Sequence, residues 1–228
     1  MTYDETLSAA FDTELSAFVE LTEGLTSEQW QLPSLCSEWT VRDVVVHAAF
    51  HTHRAGLTET LRSFVTPTDK YMAQLIAREH GETIEGLVAW LASPAPAAAR
   101  ESAVNLCELV IHQQDVRRPL GVRREFPEAT LRLCLDHCTT RLGATFVVGN
   151  ARRVGRGLRL TARDLGWSKG DGPEVVGTGD AILMAVARRP AALEELSGPG
   201  LSLFAERVLS SQPAQAAQAR SSGAGSIA

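Results

Sequence analysis

The chain has 228 residues, 44% of them apolar and 21% charged, with a formal net charge of -5 and a pI near 5.7. These are the proportions of a globular protein with a sizeable core, and the acidic balance excludes a general basic footprint for nucleic acid or an anionic membrane. No apolar run reaches the roughly 20 residues that span a bilayer, and MTYDETLSAA lacks the basic and apolar regions of a secretory signal. The expected location is therefore the cytoplasm, where Cys36, Cys107, Cys134 and Cys138 would stay thiols.

In chain order, Leu7, Phe11, Leu15, Phe18, Leu21 and Leu25 recur at spacings of three and four, which predicts an amphipathic helix ending near Gly24. A loop through Trp30, Pro33 and Cys36 leads to Thr40, whose hydroxyl can cap a second helix from about Val41 to Phe64, with Asp43 in the first turn. One broken or two short helices follow between Thr68 and Leu91, interrupted near Gly81. A further helix is predicted from about Ala97 to Arg117, stopped by Pro119 and Gly121. Pro127 opens a last long helix that carries Leu131, Leu135, Leu142 and Phe146 and fades at Gly149.

After Asn150 the pattern changes. LRLTARDLGW alternates like a strand, SKGDGP is rich in turn formers, and EVVG can return as the partner strand of a hairpin. Helical pieces follow at about Asp180 to Arg188, Ala191 to Leu196 and Leu201 to Leu209. The expected fold is mainly α: a four-helix bundle over residues 1–150, a small α+β domain over 151–210, and a flexible tail over 211–228, rich in Ser, Ala, Gln and Gly.

Chemistry concentrates on two helices. In CELVIHQQDVRR, Glu108 and His112 are four apart, so both rise from one helix face and can grip a single ion. His47 lies in TVRDVVVHAAFH, a helix apolar on nearly every side, where a buried imidazole needs a partner. Two histidines and one carboxylate leave a tetrahedral ion one open position, the mark of a catalytic rather than a structural zinc site. Iron, nickel and manganese fit the same donors.

Other readings stand beside this one. His47, His51 and His53 could form a metal site of their own, while Cys134, His137 and Cys138 read better as core packing. His51 is a candidate ligand or catalytic residue beside the trio. Asn105 and Asp115 share the face of Glu108 and His112. Asn105 is a candidate substrate contact, and Asp115 a candidate catalytic group or a carboxylate that orients a ligand, with an ion pair to Arg54 or Arg118 as its alternative. Arg54 and Arg117, with Arg118, Arg152, Arg153 and Arg156, are candidates to hold carboxylates of substrate or thiol.

The segments LCSEWTVRDVVVHA and NLCELVIHQQDVRRPLG resemble the two signature segments of the mycothiol-dependent maleylpyruvate isomerase family, within the DinB-like superfamily. The resemblance implies a DinB-like bundle in which His47, Glu108 and His112 coordinate zinc. GLRLTARDLGWSKGDGPEVVGTGDAILMAVARR resembles the small sterol-carrier-like domain that many members append. The family relation implies a metal-dependent thiol transferase or isomerase, with mycothiol or a similar low-molecular-weight thiol as co-substrate and a small electrophilic metabolite as substrate. A thiol-independent metal hydrolase or cyclase, and a non-catalytic metal or small-molecule binding protein, are the rival readings. No nucleic-acid or membrane partner is expected, and the chain would act as a monomer or homodimer.

Overall fold

The computed structural model describes residues 2–36, 39–53, 83–140 and 151–210. Helix α1, Tyr3–Glu23, begins with a reciprocal cap: Glu5 N donates to Thr2 Oγ1 and Thr2 N donates to Glu5 Oε2, so two backbone donors are satisfied at once. Leu7, Phe11, Phe18 and Leu21 form its buried face, and Gly24 ends it. A short 3-10 turn, Gln29–Gln31, then drives Trp30 fully into the interior.

Helix α2, Val41–His53, starts as its sequence predicts. Asp43 N donates to Thr40 Oγ1, while Thr40 N and Oγ1 both donate to Asp43 Oδ2. The predicted continuation to Phe64 and the helical stretch from Thr68 lie outside the described residues as far as residue 82. Helix α3, Ile84–Ala92, is capped by Thr83, which accepts from Gly86 N.

The single helix predicted from Ala97 to Arg117 is two: α4, Ala97–Arg100, and α5, Ala103–Arg117. The break has a local cause. Ser102 takes an extended conformation and its Oγ accepts from Asn105 N, while Asn105 Nδ2 donates to Ala99 O, so side chains satisfy groups that a continuous helix would have paired. Arg100 closes α4 onto α1 with a two-pronged ion pair to Asp12.

Helix α6, Glu128–Thr139, follows Pro127 and buries Leu131, Cys134, Leu135 and Cys138. Its predicted extension through Leu142 and Phe146 lies outside the described residues. These elements belong to the first of two compact units, Met1–Cys138, in which α5 packs against α1 and α2 while α3 packs against the same two helices. Almost the whole of α5 is buried, so His112, Gln113, Gln114, Asp115 and Arg117 are carried into the interior and must find partners there.

The second unit, Thr139–Ala228, contains α7, Ala151–Val154, and three strands: β1, Arg159–Ala162, β2, Trp167–Lys169, and β3, Glu174–Gly177. The sheet order is β2-β1-β3. Here the expected hairpin is corrected. LRLTA and WSK are the antiparallel pair, with Leu160 opposite Lys169, whereas EVVG lies parallel to β1 on its other edge, with Leu160 opposite Val175. The intervening turn permits this because Gly172 takes φ +128°, and any Cβ there would sit 2.3 Å from the Gly157 carbonyl oxygen. Helix α8, Gly179–Val186, a 3-10 stretch, Pro190–Glu195, and α9, Leu201–Ser210, complete the unit. The architecture is thus a helical bundle and a small α+β unit, and among the described residues no helix is long and apolar enough to cross a membrane.

Candidate functional site

The packing of α2 on α5 brings His47 against Glu108 and His112. His47 Nε2 lies 3.1 Å from Glu108 Oε2, and His112 Nε2 lies 2.9 Å from the same oxygen. The two imidazoles meet edge to face, with centroids 4.5 Å apart. One ligand atom from each residue falls within 4.8 Å of the others, so the three donors converge on a common point.

His112 is held from both sides. Its Nδ1–H donates to Asp115 Oδ2 at 2.8 Å, which fixes the ring and leaves Nε2 facing Glu108. Burial disfavours charge on this ring, yet Asp115, Cys36 and Glu108 outweigh it and push the His112 pKa well above its ordinary 6.5. Burial likewise opposes charge on Glu108. The hydrogen bonds from His112 and His47 prevail and hold the carboxyl well below its ordinary range. Both shifts favour the charged forms, a proton on His112 and none on Glu108.

His47 behaves oppositely. Burial first, then the neighbouring charges of His51 and His112, lower its pKa to about 3 against the pull of Glu108, so it is neutral at physiological pH. Its Nδ1 is buried and meets no hydrogen-bond partner among the described residues. Trp39 covers this side of the cluster, its ring 5.1 Å from that of His47 and stacked at 6.5 Å on His112.

The other sequence candidates separate. His51 stands beside the trio, its half-buried ring 4.4 Å from His47. His53 turns away and bridges the carbonyls of Ala49 and Ser93. Asp115 joins the cluster through His112. Asn105 is tied to Ala99 O at the start of α5. Arg117 is buried and donates to Ala17 O and Gln113 Oε1, which fastens α5 to α1. Arg54 lies outside the described residues. Arg152, Arg153 and Arg156 are exposed on the second unit.

One neighbour was missed in the sequence. Cys36, read there only as a thiol of the connecting loop, places Sγ 3.1 Å from Asp115 Oδ2, and Cys36, His112 and Asp115 form a second set of donors within 4.8 Å. The available signal was weak: a cysteine three residues before the tryptophan of the EWTVRD segment.

Comparison with known proteins bears out the resemblance over part of the first unit. Residues 11–105 match the family model described as the mycothiol maleylpyruvate isomerase N-terminal domain. Two solved structures are similar in fold, each covering 87% of this chain and 93% of its own at a TM-score of 0.58. One is a mycothiol-dependent maleylpyruvate isomerase, at 16% identity, and the other is a histidine-to-alanine mutant of that enzyme, at 17%. No curated protein matches the chain.

Proposed function

We propose, with the match of residues 11–105 to the mycothiol maleylpyruvate isomerase N-terminal domain as premise, that the chain is a metal-dependent enzyme. It uses a low-molecular-weight thiol, mycothiol or a relative of it, for transfer to or isomerisation of a small electrophilic metabolite in the cytoplasm. The observation that carries the reading is the convergence of His47 Nε2 and His112 Nε2 on Glu108 Oε2. Two nitrogens and one oxygen suit zinc, with iron, nickel and manganese as competitors. The fit is also electrostatic: Glu108 and Asp115 flank His112 and favour positive charge there, as an ion would supply.

A zinc ion bound there would supply one thing, a lowered thiol pKa, so that the nucleophilic thiolate would be present near neutral pH. The protein side chains supply the rest. Glu108 and His112, from one helix face, and His47, from α2, would hold the ion. Asp115 fixes the tautomer of His112. Trp39 lies against the two imidazoles, and His51 stands where a side chain can hold or pass on a proton beside the reacting groups.

Protein purified without chelators should contain close to one metal ion per chain by elemental analysis, and should consume an added thiol when an electrophile is supplied. Alanine at His47, Glu108 or His112 should remove both properties. Full turnover by a metal-free triple variant would end the metal reading, and equal turnover without any thiol would end the thiol reading.

A further inference from the structure

Asp115 is completely buried, and a carboxylate there accepts hydrogen bonds or remains costly. A single oxygen, Oδ2, accepts from His112 Nδ1 at 2.8 Å and from Cys36 Sγ at 3.1 Å. Cys36 is itself held in place. Its N donates to Ser34 Oγ, Ser34 Oγ donates to Trp39 O, and Trp39 N donates to Cys36 O. Leu35 N donates to the main-chain oxygen of Asp115, and Val41 N to Leu32 O closes the base of the loop. Residue 115 is thus gripped twice by one loop, through its backbone and through its carboxylate. Cys36 is half-buried, whereas Cys107, Cys134 and Cys138 are buried.

We infer that Cys36 is a positioning residue of the candidate metal site: its S–H locks the Asp115 carboxylate in the orientation that holds His112 Nε2 toward Glu108. The inference rests on the metal reading above. Partners that orient a ligand histidine are worth 10- to 100-fold in metal affinity. Cys36 acts one bond further out, through Asp115, so its loss belongs at the lower end, roughly tenfold. The competing role is direct ligation, since Cys36 Sγ, His112 Nδ1 and Asp115 Oδ2 also cluster. The hydrogen-bonded geometry of His112 and Cys36 on one carboxylate oxygen favours positioning.

The test measures Zn(II) affinity by competition with a chromophoric chelator on the full chain, for the wild type, Cys36→Ala, Cys36→Ser, Asp115→Asn and the double variant Cys36→Ala/Asp115→Asn. Expected are a roughly tenfold loss for Cys36→Ala, recovery in Cys36→Ser, whose hydroxyl can still donate, and no loss in the double variant beyond that of Asp115→Asn. The zinc-induced rise in unfolding midpoint should shrink in Cys36→Ala and return in Cys36→Ser, a comparison that does not depend on the metal-free stability of either. Wild-type affinity in Cys36→Ala, or equal losses in both Cys36 variants, would overturn the inference while leaving the metal reading intact. A thiolate-to-cobalt charge-transfer band in the Co(II) wild type that vanishes in Cys36→Ala would also overturn it, by making the thiol a ligand. A wild type without zinc affinity would overturn both.

Discussion

Replacing His47 with leucine should produce a stability change whose size depends on pH in a calculable way. In the metal-free fold His47 takes up a proton only near pH 3, whereas in the unfolded chain it does so at its ordinary 6.5. Between those values the unfolded state binds more protons, so this group lowers stability progressively as pH falls below 6.5. From there to pH 5 is about 1.5 pH units at about 1.4 kcal/mol each, a loss of about 2 kcal/mol in the wild type. His47→Leu has no such group and escapes that loss. Urea unfolding in the presence of a chelator at pH 7 and pH 5 should therefore show the variant gaining about 2 kcal/mol relative to the wild type on acidification. Zinc titration should show no binding at this site in the same variant. A wild-type-to-variant difference equal at the two pH values would refute the argument, because it would mean that the buried imidazole is not held neutral.

Three further outcomes are expected. Zinc must displace the proton that His112 retains well above pH 6.5, so its affinity should climb about tenfold per pH unit from pH 6.5 upward, and chelator competition at pH 6.5 and 7.5 that returned one value would contradict this. Iodoacetamide should label Cys36 in the native protein but spare the buried Cys107, Cys134 and Cys138 until denaturant is added, as mass spectrometry of digested protein can check. Arg124→Met should destabilise the first unit by about 3 kcal/mol or more, because it strips the cation from fully buried Glu14; adding Glu14→Gln should restore part of that loss in denaturant unfolding.

The helices that carry the candidate ligands were legible because helical geometry is local. A four-residue spacing puts Glu108 and His112 on one face whatever else the chain does, and Thr40 with Asp43 announces the start of α2. The meeting of His47 with Glu108 was legible through the shortage of partners for an imidazole in an apolar helix and through the family resemblance of the two segments that carry them. What stayed hidden was decided by contacts without a period. Cys36 and Asp115 are 79 positions apart, and nothing in a loop sequence specifies which side chain it will meet. The break before α5 depends on Ser102 and Asn105 outbidding the backbone of AAARESAVN, where no Gly or Pro marks a stop. The parallel placement of β3 follows from the turn at Gly172 and from the bridge between Val176 and Ser197, a residue further along the chain than any strand.

His47 and Glu108 are separated by 61 positions and belong to different helices. A nascent chain that has delivered α2 but not α5 offers an ion His47 without the carboxylate and imidazole that complete the trio. Capture by the full trio would require α5 to have emerged and docked against α2, so metal loading would come late in the assembly of the first unit. An ion so bound would act as a latch across that helix pair, drawing on the free energy of coordination to resist their separation.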